Sequence, residues 1–316
     1  MEYGFGIPPG GFASSDDIVT FARRGEELGF GFTTVSDHVV IPGDVKSRHP
    51  YTIAGVYDGG VAQLEQIALM SFLAAHTETI RLMTGVMVLP HRGAILAAKM
   101  LATVDVLSEG RLIVGCGVGW MREEFEVLGA LPYEDRGAIG NEYIQAFKEL
   151  WTSDNPEFHG KHVKFSDLTF SPKPVQKPHP PIWVGGGSLP ALRRAARFGD
   201  GWYPFGVNPD HPVSTPTQLA GEISKLYSLA EEVGRDPSDI DIAYSASWTE
   251  EGEEREDQAI VEGRPSFSGN PERVAEDIRI FESLGVGHMK FDIHRPTLTE
   301  SLERMESFAA DIIPLV

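Results

Sequence analysis

Along almost the whole chain, short β-branched or aromatic runs alternate with stretches whose apolar residues recur at helical spacing. The runs predict strands at 3–7, 32–35, 80–88, 112–116, 182–184, 201–203, 240–245 and 288–291. The periodic stretches predict helices at 16–28, 64–75, 94–107, 121–128, 189–198, 218–233, 272–284 and 298–310. A helix follows each strand, which is the order of a parallel α/β fold. Eight such units in series predict a closed (β/α)8 TIM barrel, one domain over residues 1–316.

Local chemistry marks the boundaries. Ser14 and Asp17 have the spacing of a capping box. Gly29 and Gly285 stand where a helix ends in a left-handed turn, and Asn270-Pro271 supplies a cap and a first-turn proline. Three stretches are longer than barrel loops need, at 41–61, 136–181 and 249–262. They read as insertions on the C-terminal face of the strands. The second should hold an extra helix to Trp151, and the third a lid or a solvated loop.

Charge and composition narrow the partners. The 316 residues carry a formal charge of −19, which repels phosphate backbones and anionic membrane surfaces. Nucleic acid and membrane are therefore not expected. Cys116 is the only cysteine, so the chain forms no internal disulfide and no cysteine-rich metal site. The ten histidines form no His-x-His pair and no HExxH helix, so no metal is expected. No basic, then apolar leader opens the chain and no apolar run is long enough to span a bilayer, so a cytoplasmic location is the expectation.

In such a barrel the working residues sit at the C-terminal ends of the strands. Those ends carry Ser36-Asp37-His38, Thr84-Gly85-Val86, Gly115 to Trp120, and Gly185-Gly186-Gly187-Ser188. The last run leads straight into a helix, where bare amides and glycines make an anion site. Gly115, Gly117 and Gly119 lack the spacing of a dinucleotide fingerprint. Two glycine turns on one face point to a phosphate-bearing cofactor, with Arg193, Arg194 and Arg197 following the second. His38 beside Asp37 reads as a general base or stabiliser of an anion, or equally as a pair that satisfies the loop. His91 and Arg92 reach toward cofactor or entrance, while His49, His76, His159, His162, His179 and His211 read as structural or solvated.

Residues 80–129, IRLMTGVMVLPHRGAILAAKMLATVDVLSEGRLIVGCGVGWMREEFEVLG, closely resemble the core signature of luciferase-like monooxygenases. Residues 170–204, FSPKPVQKPHPPIWVGGGSLPALRRAARFGDGWYP, are similar to the second signature of that family. The SDH at 36–38 is similar to the coenzyme F420 branch. That resemblance implies Asp37 and His38 on the deazaflavin ring face, with His38 as the catalytic residue assisting hydride transfer. It implies a non-proline cis bond at Gly85–Val86 behind the ring. It also implies cofactor contacts from Gly117, Gly119, Gly186, Gly187 and Ser188. Trp120 stands where F420-dependent sugar-phosphate and alcohol dehydrogenases of the family carry glutamate, and a basic sugar-phosphate clamp is not evident, so a small organic substrate is expected. The alternatives are an FMN-dependent two-component monooxygenase using O2, and a non-catalytic flavin-binding barrel. Apolar residues on more than one face of 64–75 and 94–107 predict a homodimer through those helices.

Overall fold

The computed structural model describes residues 1–57, 60, 62–253 and 264–316. Its elements run β1 (Glu2–Gly6), α1 (Ser15–Glu27), β2 (Phe32–Val35), α2 (Gln66–His76), β3 (Arg81–Thr84), β4 (Met87–Val88) and α3 (Ala94–Leu107). They continue β5 (Leu112–Gly117), α4 (Arg122–Leu128), α5 (Arg136–Thr152), β6 (Phe158–His159), β7 (Lys164–Phe165), β8 (Ile182–Gly185), α6 (Leu189–Phe198) and β9 (Gly201–Tyr203). The last are α7 (Pro216–Glu232), β10 (Asp241–Ala246), α8 (Pro271–Ser283), β11 (Val286–Phe291) and α9 (Leu298–Ser307). The strands pair in parallel in the order β3-β2-β1-β11-β10-β9-β8-β5, and β5 returns to β3 to close the barrel. β6 and β7 form a separate antiparallel hairpin inside the second insertion.

Alternation along the strands divides the core in two. Phe32, Met83, Ile113, Trp183, Tyr203 and Ala243 point inward and fill the barrel. The alternate positions, such as Trp202, Tyr244, Met289 and Phe291, pack outward against the helices. The cap signals hold: Ser14 and Asp17 form a capping box at α1, and Asn270 caps α8 ahead of Pro271.

Two expectations are corrected. The strand predicted over 80–88 is broken by a cis peptide at Gly85–Val86 into β3 and β4, which pair with the lower and upper halves of β5. The fourth outer helix is α5, packed between α3 and α6, and not the stretch 121–128. Burial decides which helix takes that place. α5 buries Ile139, Tyr143, Ile144, Phe147, Leu150 and Trp151, whereas the two-turn α4 buries only Glu124 and Phe125. A short helix that buries one apolar residue cannot cover a strand pair, so α4 is left at the barrel mouth. Of the third insertion, Thr249 bridges Ser268, and residues 254–263 lie outside the described residues. Among the described residues no helix is long and apolar enough to cross a membrane.

Candidate active site

The strand ends surround a cleft of about 540 Å³. Asp37 and His38 reach it from β2, Gly85 and Val86 from the β3–β4 break, Gly117 and Gly119 from β5, and Gly186, Gly187 and Ser188 from β8. Every site residue expected from the sequence therefore lines one cavity. Both glycine turns open on the same end of the barrel.

The cis bond turns Val86 toward the barrel axis, and two glycines make room for it. A Cβ on Gly117 would lie 2.8 Å from Val86 Cγ2, and one on Gly185 would lie 2.9 Å from Cγ1. No side chain fits at either position while Val86 stays in place. The floor of the cleft is thus a single isopropyl group framed by bare backbone, a flat apolar rest.

His38 and Asp37, adjacent in sequence, have different partners. His38 Nδ1 lies 2.7 Å from Glu124 Oε2. Because a carboxylate only accepts, the imidazole carries its hydrogen on Nδ1 and leaves Nε2 for the cleft. Glu124, its side chain 1% exposed, also accepts from the amides of Val39 and Val40. Burial raises its pKa, but the His38 hydrogen bond, the nearby His91 and the Val39 amide outweigh it and hold the carboxyl below its ordinary range. The neighbouring Glu123 accepts from the amides of Lys46 and Ser47. The start of α4 thus grips the loop after β2 through two carboxylates.

Asp37 faces the other way. Its two oxygens take a fork of 2.9 Å bonds from Arg92, and Oδ2 also accepts from the Val88 amide at 2.8 Å. Arg92 adds Glu65 at 2.6 Å. This is a buried bidentate clamp that ties β2 to the segment after β4. Sequence adjacency suggested a pair between Asp37 and His38; the geometry separates them, because consecutive residues leaving a strand point to opposite sides.

His91 lies behind the dyad, 2% exposed, with Nδ1 3.9 Å from Glu124 and its ring edge-on to Phe125. Among the described residues neither ring nitrogen has a hydrogen-bond partner. Burial lowers its pKa more than Glu124 and Asp37 raise it. A histidine that titrates lower folded than unfolded is a net cost once the unfolded chain begins to bind the proton. Stability is therefore lost as pH falls below the ordinary 6.5 toward the folded value. We expect His91→Leu to lie within about 1 kcal/mol of wild type at pH 8 and to gain on it as pH drops below that point. Urea unfolding at a series of pH values measures the difference. A constant gap across pH would show that His91 does not charge differentially.

The first insertion supplies an aromatic wall. His49 sits 4.8 Å from Trp120 and 5.5 Å from Tyr57, and Tyr57 lies 5.7 Å from Trp120. Tyr51 packs tilted against Phe205 at 4.7 Å. Burial pushes the Tyr51 hydroxyl up to about 12, so it stays protonated. His49 and His211, read from the sequence as structural or solvated, both line the cleft.

At the β8 turn the cleft meets backbone amides and a buried cation. Ser188 caps α6 and Gly186 takes φ +99°, so the helix N-terminus opens on the cleft. Arg194 is 6% exposed and bonds only to neutral acceptors, Asn141 Oδ1 at 2.7 Å and Gly137 O at 2.9 Å. Among the described residues it makes no ion pair. Arg136, which also lines the cleft, lies over the Tyr133 ring at 4.0 Å. Arg193 and Arg197, one and three residues away on α6, are exposed. Behind Arg194, burial pushes the Cys116 thiol up to about 12, which leaves it an inert core group.

The sequence did not mark Glu124, Arg92 as the partner of Asp37, or the Trp120 wall. The one available signal was Glu123-Glu124 at the start of a short helix, four residues past the β5 glycine turn.

A family model described as luciferase-like monooxygenase matches residues 5–259. The chain belongs to that family. It is 40% identical over 147 residues to an FMNH2-dependent dimethylsulfone monooxygenase of Pseudomonas putida, covering 46% of this chain and 40% of that enzyme. An uncharacterised protein of Mycobacterium tuberculosis is 32% identical over 248 residues, 77% of this chain and 82% of that one. Among solved structures, an F420-dependent secondary alcohol dehydrogenase with an F420–acetone adduct superposes with a TM-score of 0.77 over 100% of this chain and 98% of that one, at 19% identity. That likeness shows the fold alone. The chain is therefore an oxidoreductase of the luciferase-like family.

Proposed function

We propose that the protein is a monooxygenase that uses reduced FMN and O2 on a small organic molecule. The observation that carries this reading is Arg194, a buried cation with only neutral partners among the described residues, lining the same cleft as the helix N-terminus at Ser188. A phosphate held by Gly186, Gly187, Ser188 and Arg194 satisfies that cation. The flat ring would rest on Val86, flanked by Gly117 and Gly119. Reduced FMN supplies, when bound, the electrons that activate O2. The chain's own part is binding, exclusion of water by Trp120, Tyr57 and Phe205, and a proton-accepting Nε2 that the Glu124 hydrogen bond at Nδ1 leaves to His38.

The preference for F420 rested on the Asp37-His38 pair. Asp37 is committed to Arg92 and the Val88 amide, so the pair does not distinguish the two cofactors. The Pseudomonas relative supports FMN instead. Anaerobic titration of the full chain with reduced FMN and with reduced F420 tests this. We expect micromolar affinity for reduced FMN, weakened about 10–100-fold in Arg194→Met, the range for a hydrogen-bonded charge. Binding of reduced F420 with none of FMN would overturn the reading.

We further propose a homodimer through α2 and α3. Both helices bury one face on the barrel, yet Ile95, Leu96 and Leu107 remain 42%, 59% and 54% exposed on α3, with Phe72 and Met100 half-buried nearby. Sedimentation velocity should give a species of twice 34.6 kDa. A monomer at micromolar concentration would contradict it.

A further inference from the structure

Asn208, on the loop after β9, is 7% exposed and lines the cleft. Its Oδ1 faces back into its own turn, where it accepts from the amides of Asp210 at 3.2 Å and His211 at 3.1 Å. The His211 amide is shared with the Asn208 carbonyl, also at 3.2 Å. Two N–H donors fix which end of the carboxamide is the oxygen, so the NH2 group is turned away from that backbone. Among the described residues nothing accepts from it. The nitrogen is not sealed inside the protein, and the cavity it borders is the cleft. A carboxamide more than nine-tenths buried therefore holds an idle pair of donors at the site.

The turn sets Asn208 beside the glycines of β8, the strand next to β9. A Cβ on Gly187 would lie 3.0 Å from His211 Cβ and 3.3 Å from the His211 carbonyl oxygen, so the 208–211 turn packs directly on the Gly186–Ser188 turn. Charge decides what the donors meet there. Among the described residues, the carboxylates and guanidiniums that line the cleft are Asp37, Glu134, Arg136 and Arg194. Both carboxylates are matched, Asp37 by Arg92 and Glu134 by Arg122. Arg136 donates only to the carbonyls of Gly119 and Tyr133, and Arg194 only to Asn141 and Gly137. Asp210, two positions from Asn208, pairs with Arg48 at 3.2 Å. In a chain of charge −19, this one cleft keeps two unmatched cations and no unmatched anion. An anion with several acceptor oxygens answers that surplus, and a neutral oxygen does not.

We propose that Asn208 is a phosphate-binding residue, its NH2 group donating to an oxygen of a phosphate monoester held at the Gly186–Ser188 turn. Amides come from β8 and α6, cations from α5 and α6, and Asn208 adds a neutral donor from the loop after β9. The three terminal oxygens of a monoester can serve the amides, Arg194 and the carboxamide together. This deepens the reduced-FMN reading and rests on it for what carries the phosphate. The binding of phosphate itself is independent of that reading.

The cofactor-free full-length chain, isotope-labelled at the asparagine side-chain nitrogens, is titrated by NMR with inorganic phosphate and with dimethyl sulfone. The Asn208 signal is assigned by its loss in N208S, where serine keeps a neutral acceptor for the turn and removes the NH2 group. Reduced FMN and reduced riboflavin, which lacks the phosphate, are titrated anaerobically into both proteins. We expect the Asn208 signal to move saturably with phosphate and not with dimethyl sulfone. N208S should weaken FMN binding about 10–100-fold at unchanged riboflavin affinity and Tm. Should N208S fail to fold, N208D keeps an acceptor for both amides and should lose at least as much FMN affinity. No response to phosphate, a response to the sulfone alone, full FMN affinity in either folded variant, or an equal loss for riboflavin would each overturn the proposal. Failure of reduced FMN to bind, with phosphate still moving the Asn208 signal, would overturn the cofactor reading and leave this one standing.

Discussion

Replacing His38 by alanine is expected to lower kcat about 10²–10⁴-fold while leaving cofactor affinity nearly intact, the range for a positioned acid–base group. The expectation follows from the way Glu124 holds the ring. Its Oε2 takes the Nδ1 hydrogen at 2.7 Å, and its Oε1 is fixed by the Val39 amide at 2.7 Å, so Nε2 has one orientation toward the cleft. Glu124→Gln, which keeps shape and removes charge, should lose less than His38→Ala. His91→Leu is the control, because that ring is buried behind Glu124 and does not line the cleft. Single-turnover kinetics in the cofactor-saturated enzyme measure the effect. A packing role for His38 predicts a different outcome: lower Tm and weaker cofactor binding, with kcat near wild type.

The second large effect is on stability. Asp37→Ala removes one partner of an ion pair whose side chains are 1% and 9% exposed. It leaves Arg92 with Glu65 alone and the Val88 amide without its acceptor. Breaking a buried pair from one side costs about 3–5 kcal/mol, and we expect a loss of that size in urea unfolding of the cofactor-free chain. Had the carboxylate faced the cofactor ring, the same substitution would abolish binding at a stability cost below about 1 kcal/mol, as for an exposed pair. The two measurements together assign Asp37 to the frame or to the cleft.

These two residues show how far the sequence could be read. The eight staves, the capping box at Ser14 and Asp17 and the glycine turns are local patterns, and periodicity and turn chemistry report them directly. The partner of His38 lies 86 positions away and that of Asp37 lies 55 away. No local rule connects them, so the nearest carboxylate in sequence stood in for the true one. The exchange of α4 and α5 has the same origin. Helical spacing identifies both segments, but only the apolar area each can bury decides which covers the barrel.

The grip of α4 on the loop after β2 bears on how such an enzyme diversifies. Glu123 and Glu124 hold Lys46, Ser47, Val39 and Val40 by their backbone amides, and Ser47 adds its side chain, whose Oγ accepts from the Arg122 amide at 3.1 Å. Save at Ser47, an anchor of that kind is blind to the identity of the residues it holds. The loop that carries His49, Tyr51 and Tyr57 over the cleft can therefore change its side chains freely while its course and the His38 orientation stay put. Specificity and chemistry are inherited separately here, one from an interchangeable loop and the other from two carboxylates that never need to change with it.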